Sequence, residues 1–105
     1  MKQPELMTFG EFIRSMRIEA KLPLRMVAAQ LDIDPSLLGR IERNERPPTK
    51  EIIVGIAKIF EQDLKKLTDE SLSDKIAYKI LSENADINVL KVAEKKVEYW
   101  KNKQQ

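Results

Sequence analysis

Apolar residues recur along this chain at helical spacing, and the gaps between apolar runs hold residues that start and stop helices. Thr8, with Glu11 three residues on, has the form of a capping box. Phe9, Phe12, Ile13, Met16 and Ala20 then supply one apolar face, which predicts a first helix over about 8–20. Pro23 suits the first turn of a second helix over about 23–31, continued by Leu24, Val27, Ala28 and Leu31. Asp34 followed by Pro35 reads as an N-cap with proline at the first helical position, so a third helix runs over about 35–43. Two prolines between Asn44 and Pro48 end it. Thr49 caps a fourth helix over about 50–60, with Ile52, Ile53, Ile56, Ala57 and Phe60 on its inner side, and Asp63 opens a short fifth over about 63–67 carrying Leu64 and Leu67.

After Thr68 the pattern changes. Ile76, Ile80 and Leu81 mark a sixth helix, and Ser82 to Asp86 is a polar break. Beyond it Ile87, Leu90, Ala93, Val97 and Trp100 form a stripe flanked by Val89, Val92 and Tyr99, the apolar face of a last helix that needs a partner. The expectation is an all-α chain: a five-helix domain over residues 1–67, then a helical extension over 68–105.

Composition narrows the chemistry. At 105 residues, 42% hydrophobic and 34% charged, the chain has room for one compact core and an appendage. Without cysteine there is no disulfide framework and no thiolate zinc site. Without histidine the commonest general base and metal ligand are missing as well. Carboxylates alternate with Lys and Arg in the manner of solvated helix faces. No catalytic residue, metal site or cofactor is expected, nor is an enzyme. No apolar run reaches the roughly 20 residues of a membrane span and no export signal is evident, so a cytoplasmic setting is expected. The formal net charge of +2 hardly argues for a polyanionic partner. Residues 8–67 hold eleven Lys and Arg against nine Asp and Glu, residues 68–105 seven of each, and any case for nucleic acid rests on where the arginines stand.

Their placement is informative. Two short helices joined by about three residues form a helix-turn-helix when a small residue and a few core contacts fix their crossing. From Leu24 to Arg43, Ala28 is the small residue, Ile33 plugs the turn, and Leu38 and Ile41 face inward. At about 100° per residue, that leaves Ser36, Gly39, Arg40 and Arg43 outward, toward a duplex.

These positions resemble those of the Xre or phage-repressor-like (lambda-repressor-like) helix-turn-helix family over residues 9–67. The resemblance rests on Leu22 before the second helix, Val27 with Ala28, Ile33 in the turn, Leu38 with Ile41 and Glu42, the Asn44, Glu45, Arg46, Pro47, Pro48 exit, and the Ile56, Ala57, Phe60 helix. It implies a structural ion pair between Arg17 and Glu42. It also implies that the third helix enters the major groove of double-stranded DNA. Ser36, Gly39 and Arg40 are then the base-reading candidates, and Arg25, Arg43, Arg46 and Lys50 the phosphate candidates. Arg40 is the strongest reader, because its planar fork matches the two acceptors of guanine, although the same side chain also suits a phosphate.

Three departures stand out: Leu24 where the family has a phosphate-touching glutamine, Asp32 where its turn has glycine, and an exposed-looking Leu37 beside the acidic Asp32 and Asp34. The expected function is sequence-specific DNA binding by a homodimeric transcriptional regulator, a repressor or controller. Ile87, Leu90, Ala93, Val97 and Trp100 would form its dimer interface, their alternative being a helix folded back on its own domain. The competing reading is a protein-interaction module on the same fold, antitoxin-like or adaptor, in which the tail, or Leu24 and Leu37, holds another protein and DNA binding is weak or non-specific. A DNA-coating protein without sequence preference is a third.

Overall fold

The computed structural model describes residues 7–103, so the first six residues of the expected 1–67 domain lie outside the described part. Six helices follow one another: α1 (Phe9–Glu19), α2 (Leu24–Gln30), α3 (Pro35–Glu42), α4 (Lys50–Ile59), α5 (Leu64–Ser82) and α6 (Asn88–Lys103). The described residues contain no strand, and none of their helices is long and apolar enough to cross a membrane. They divide into two compact units between Asp74 and Lys75.

Local chemistry sets the starts of the helices. Thr8 Oγ1 accepts from the backbone of Glu11, whose carboxylate accepts in return from Thr8 N at 3.0 Å, completing the capping box. The Asp34 and Thr49 side chains cap α3 and α4 by accepting from Ser36 N and Ile52 N, with no reciprocal bond among the described residues. Pro23 lies one position earlier than expected: at φ −64° and ψ 150° it is the extended N-cap of α2, not its first helical residue.

The ends are more unusual. Lys21, Asp32, Asn44, Glu61 and Asn84 all have positive φ between 51° and 64°, one after each of the first five helices, and no glycine does. Each is followed by a residue whose N–H returns to a carbonyl five residues back, such as Leu22 to Arg17, Ile33 to Ala28 and Gln62 to Ala57, the hydrogen bond of a Schellman ending. These endings close off helix carbonyls that would otherwise lack partners, against the steric strain of a side chain at left-handed φ.

The first unit is organised by α2, which packs against α3 and α4, while α1 packs on α3. Phe9, Ile13, Val27, Ala28, Leu38, Ile41, Ile52, Ile53, Ile56, Ala57 and Leu67 form its buried core. Fully burying an aliphatic or aromatic side chain of this kind is worth roughly 1.5–3 kcal/mol. Ala20, expected on the inner face of α1, is exposed and forms its C-cap. Two glycines permit close helix packing: a Cβ on Gly10 would collide with the carbonyl oxygen of Ile41, and one on Gly55 would collide with Leu31 Cδ2.

The expected break after residue 67 is absent, and one helix of 19 residues replaces the short fifth and separate sixth. No glycine or proline interrupts Leu64–Ser82, and Thr68, Ser73 and Ser82 bond back along the helix, Thr68 Oγ1 donating to Leu64 O at 2.8 Å. Within the first unit this helix buries Leu67 and Ser71, and Asp74 Oδ2 accepts from Phe9 N at 2.7 Å, adding a carboxylate to the N-terminus of α1.

Residues 75–103 bury none of their side chains. The polar break falls where expected: Asn84 ends α5 at positive φ, and Asp86 Oδ1 accepts from Asn88 N at 2.8 Å to start α6. Leu90, Ala93, Val97 and Trp100 lie on α6 and Ile87 just before it, and all five are exposed, Trp100 by 57%.

Candidate nucleic-acid interface

The face that α3 presents follows from what holds its opposite side. Leu38 and Ile41 are buried in the core, and Glu42, only 5% exposed, is drawn in with them. The pull comes from Arg17 on α1, whose Nε lies 2.8 Å from Glu42 Oε2 and whose Nη2 lies 3.0 Å from Oε1, while Nη1 donates to the carbonyl of Leu22 at 3.0 Å. This is a two-pronged, mostly desolvated ion pair, the geometry that gives guanidinium–carboxylate contacts their strength. The Glu42 hydrogen bond holds the Arg17 guanidinium above its ordinary pKa, against a smaller opposing effect of burial.

At 100° per residue Gly39 lies about 60° beyond Glu42, outside the sector that Leu38, Ile41 and Glu42 bury, and it is the Arg43 and Leu24 side chains that cover it. Gly39, expected among the base-reading residues, is buried: a Cβ there would lie 3.1 Å from Arg43 Nη1 and 3.7 Å from Leu24 Cδ2. The exposed face of α3 is Pro35, Ser36, Arg40 and Arg43. Leu37 and Leu24, expected to be open to a protein partner, are partly buried against the core.

The exposed residues form a small polar lattice. Asp34 Oδ1 accepts from both Ser36 N at 2.8 Å and Ser36 Oγ at 2.7 Å, and these bonds, the hydroxyl first, hold the Asp34 carboxyl below its usual pKa. Arg43 Nε donates to Glu45 Oε2 at 2.9 Å, which lowers the carboxyl and raises the guanidinium. Arg40 stands exposed between these two carboxylates, its charge helping to lower both, with no hydrogen bond to either among the described residues. Arg25 at the start of α2, Arg46 in the loop after α3 and Lys50 at the start of α4 are exposed as well. Among the described residues no group of carboxylates is placed to hold a metal ion.

A short helix, a four-residue turn through the left-handed Asp32, and a second short helix with an arginine-bearing outer face define a helix-turn-helix DNA-binding protein. The helix-turn-helix family model matches residues 13–67, over half of the chain, and the chain belongs to that family, the Xre or lambda-repressor-like group of DNA-binding transcriptional regulators. Among solved structures, a chain of the SinR protein/SinI protein complex is similar, with a TM-score of 0.54 and 19% identity, over 90% of this chain and 99% of that one. At that identity the likeness speaks for the all-α fold alone. No curated protein matches the chain.

Proposed function

We propose that this protein is a sequence-specific double-stranded DNA-binding regulator that acts as a homodimer in the cytoplasm, with α3 in the major groove. The observation that carries the reading is Arg40: exposed on the outer face of α3, its guanidinium without a hydrogen-bonded partner among the described residues, on a helix whose inner side is the buried Leu38, Ile41 and Glu42. A planar fork held there suits the paired acceptors of guanine, and Ser36 one turn earlier can donate or accept toward a neighbouring base. Arg25, Arg43, Arg46 and Lys50 surround that face and serve the phosphates, which give affinity and register without sequence information.

Dimerisation falls to the extension after residue 67. Ile87, Leu90, Ala93, Val97 and Trp100, with Val89, Val92 and Tyr99, leave a long apolar face uncovered on α6. An isolated helix of 16 residues is marginal in water without something to bury such a face against. A second copy supplies an identical face, and ~800 Å² per partner is the scale of a stable interface. Pairing the copies sets two α3 helices on successive turns of one side of a duplex, about 34 Å apart.

The test is fluorescence anisotropy of the full chain on a labelled duplex from upstream of its own gene and on a scrambled duplex of equal length. A preference of about a thousandfold or more at near-physiological salt supports a specific regulator. Equal, weak binding to both favours the second reading, a protein-interaction module whose exposed α6 face takes a different protein. The similar fold of a chain in the SinR protein/SinI protein complex, a protein–protein assembly, supports keeping that reading.

A further inference from the structure

An open cleft of about 550 Å³ lies beside the outer face of α3, between α1, the start of α2 and the end of α3. Its walls carry Arg14 and Arg17 from α1 and Arg43 just after α3, against the carboxylates of Glu11 and Glu42, and Gly39 and Leu24 also line it. Most of these charges already have partners. Arg17 and Glu42 bind each other, the Glu11 carboxylate accepts from Thr8 N and Thr8 Oγ1, and Arg43 is held by Glu45, a residue outside the lining. Arg14 is exposed and has no ion pair among the described residues.

The cleft therefore presents an uncompensated guanidinium on one wall and, on the other, a second guanidinium whose partner carboxylate is 55% exposed and easily displaced. Gly39 shapes the same side: Arg43 Nη1 passes 3.1 Å from the place a Cβ would occupy, so the absence of a side chain lets that guanidinium lie close along α3. A ligand for this site is a compact anion able to accept from two guanidinium groups, approaching from the side on which α3 meets its target.

We propose that the cleft is a seat for one phosphate of the DNA backbone, gripped by Arg14 from α1 and by Arg43 at the C-cap of α3, the phosphate displacing Glu45. The seat rests on the DNA-binding reading and adds to it a contact from a helix outside the helix-turn-helix itself. Arg14 then fixes how far α3 enters the groove without contributing to base choice, because a phosphate carries no sequence.

The test uses the full chain and anisotropy titrations on the native and scrambled duplexes across a series of KCl concentrations. The variants are Arg14→Ala, Arg14→Lys and, as a control for lost charge, Lys58→Ala on the exposed side of α4. Circular dichroism checks that each keeps its fold. The expected result is that R14A weakens binding to both duplexes by a similar factor, roughly 3- to 30-fold, and reduces the slope of log K against log salt by about 1. R14K keeps most of the slope, and K58A changes neither quantity. Wild-type protein that binds DNA with R14A indistinguishable from it overturns the seat alone, as does K58A matching the loss in R14A. Wild-type protein that binds neither duplex overturns the DNA-binding reading and the seat together.

Discussion

Arg17 and Glu42, twenty-five residues apart, meet through two hydrogen bonds of 2.8 and 3.0 Å, and this one pair joins α1 to α3 and decides which way the recognition face points. Removing one partner leaves the other charge largely buried, since their side chains are 14% and 4% exposed. Arg17→Ala is therefore expected to cost about 3 kcal/mol or more in urea unfolding followed by circular dichroism. Replacing both, as Arg17→Met with Glu42→Leu, should recover most of that loss. If R17A unfolds at the wild-type midpoint, the pair is not holding the domain together.

The bond from Phe9 N to Asp74 places the end of the first unit well beyond residue 67. Asp74→Ala leaves a mostly buried N–H without its charged acceptor and is expected to cost about 1.5–3 kcal/mol, with Asp74→Asn losing less. A chain ending at residue 67, the boundary expected from composition, should melt below one ending at residue 82, because it lacks both Asp74 and the buried Ser71. Equal melting temperatures for the two would place the boundary at residue 67 after all.

What could be read in the sequence divides along the same line. Thr8 with Glu11, Asp34 with Pro35, and Thr49 act on residues two or three positions away, so their helix starts were legible locally. The Arg17–Glu42 pair was visible only through family resemblance. Asp74 is sixty-five residues from the N–H it binds, and no periodicity announces such a contact. The continuity of α5 was hidden because a polar stretch with Thr68, Ser71 and Ser73 reads as a break, although their hydroxyls can bond within a helix as readily as end one. Helical spacing puts Gly39 outward, and its burial comes from the Arg43 and Leu24 side chains folding over it, which spacing does not reveal. Arg14 lines a cleft made by helices distant in sequence, which no local pattern reveals.

Glycine is used here for packing and not for turning, which reverses the usual effect of two substitutions. Gly10→Ala would normally favour a helix, yet its Cβ would meet the Ile41 carbonyl, so it should destabilise by roughly 1–3 kcal/mol. Glu61→Gly relieves a side chain at φ 51° and should raise the melting temperature, by a free energy of about 1 kcal/mol or less. A fall in stability for E61G would show that the Glu61 side chain contributes more than its left-handed backbone costs.

If Arg43 meets a phosphate, the Glu45 carboxylate that it binds at 2.9 Å competes with the duplex for it. Glu45→Gln removes the charge and is expected to strengthen binding a few-fold on native and scrambled duplexes alike, as fits a surface pair worth under about 1 kcal/mol. The carboxylate is held below its ordinary pKa by Arg43, so the pairing persists above the usual carboxylate range and is lost only as pH falls through that lowered value. Mild acidification that stops above the ordinary carboxylate range should consequently leave the difference between E45Q and wild type in place. Unchanged affinity in E45Q would mean that Arg43 does not meet the duplex.

Trp100, the sole tryptophan, lies on the apolar face of α6 and reports directly on what covers it. If two copies pair through that face, dilution should shift its emission from blue to red as the dimer separates, and sedimentation should follow the same concentration dependence. Val97→Glu puts a charge at the centre of the stripe, where burial without a partner is costly. It should give a monomer with red-shifted emission whose first unit still unfolds at the wild-type midpoint, since none of residues 75–103 contributes a buried side chain. Loss of half-site pairing should then reduce affinity for a two-site duplex far more than for a single site. A wild-type protein that is monomeric at tens of micromolar, with emission independent of concentration, would assign the face to a different protein.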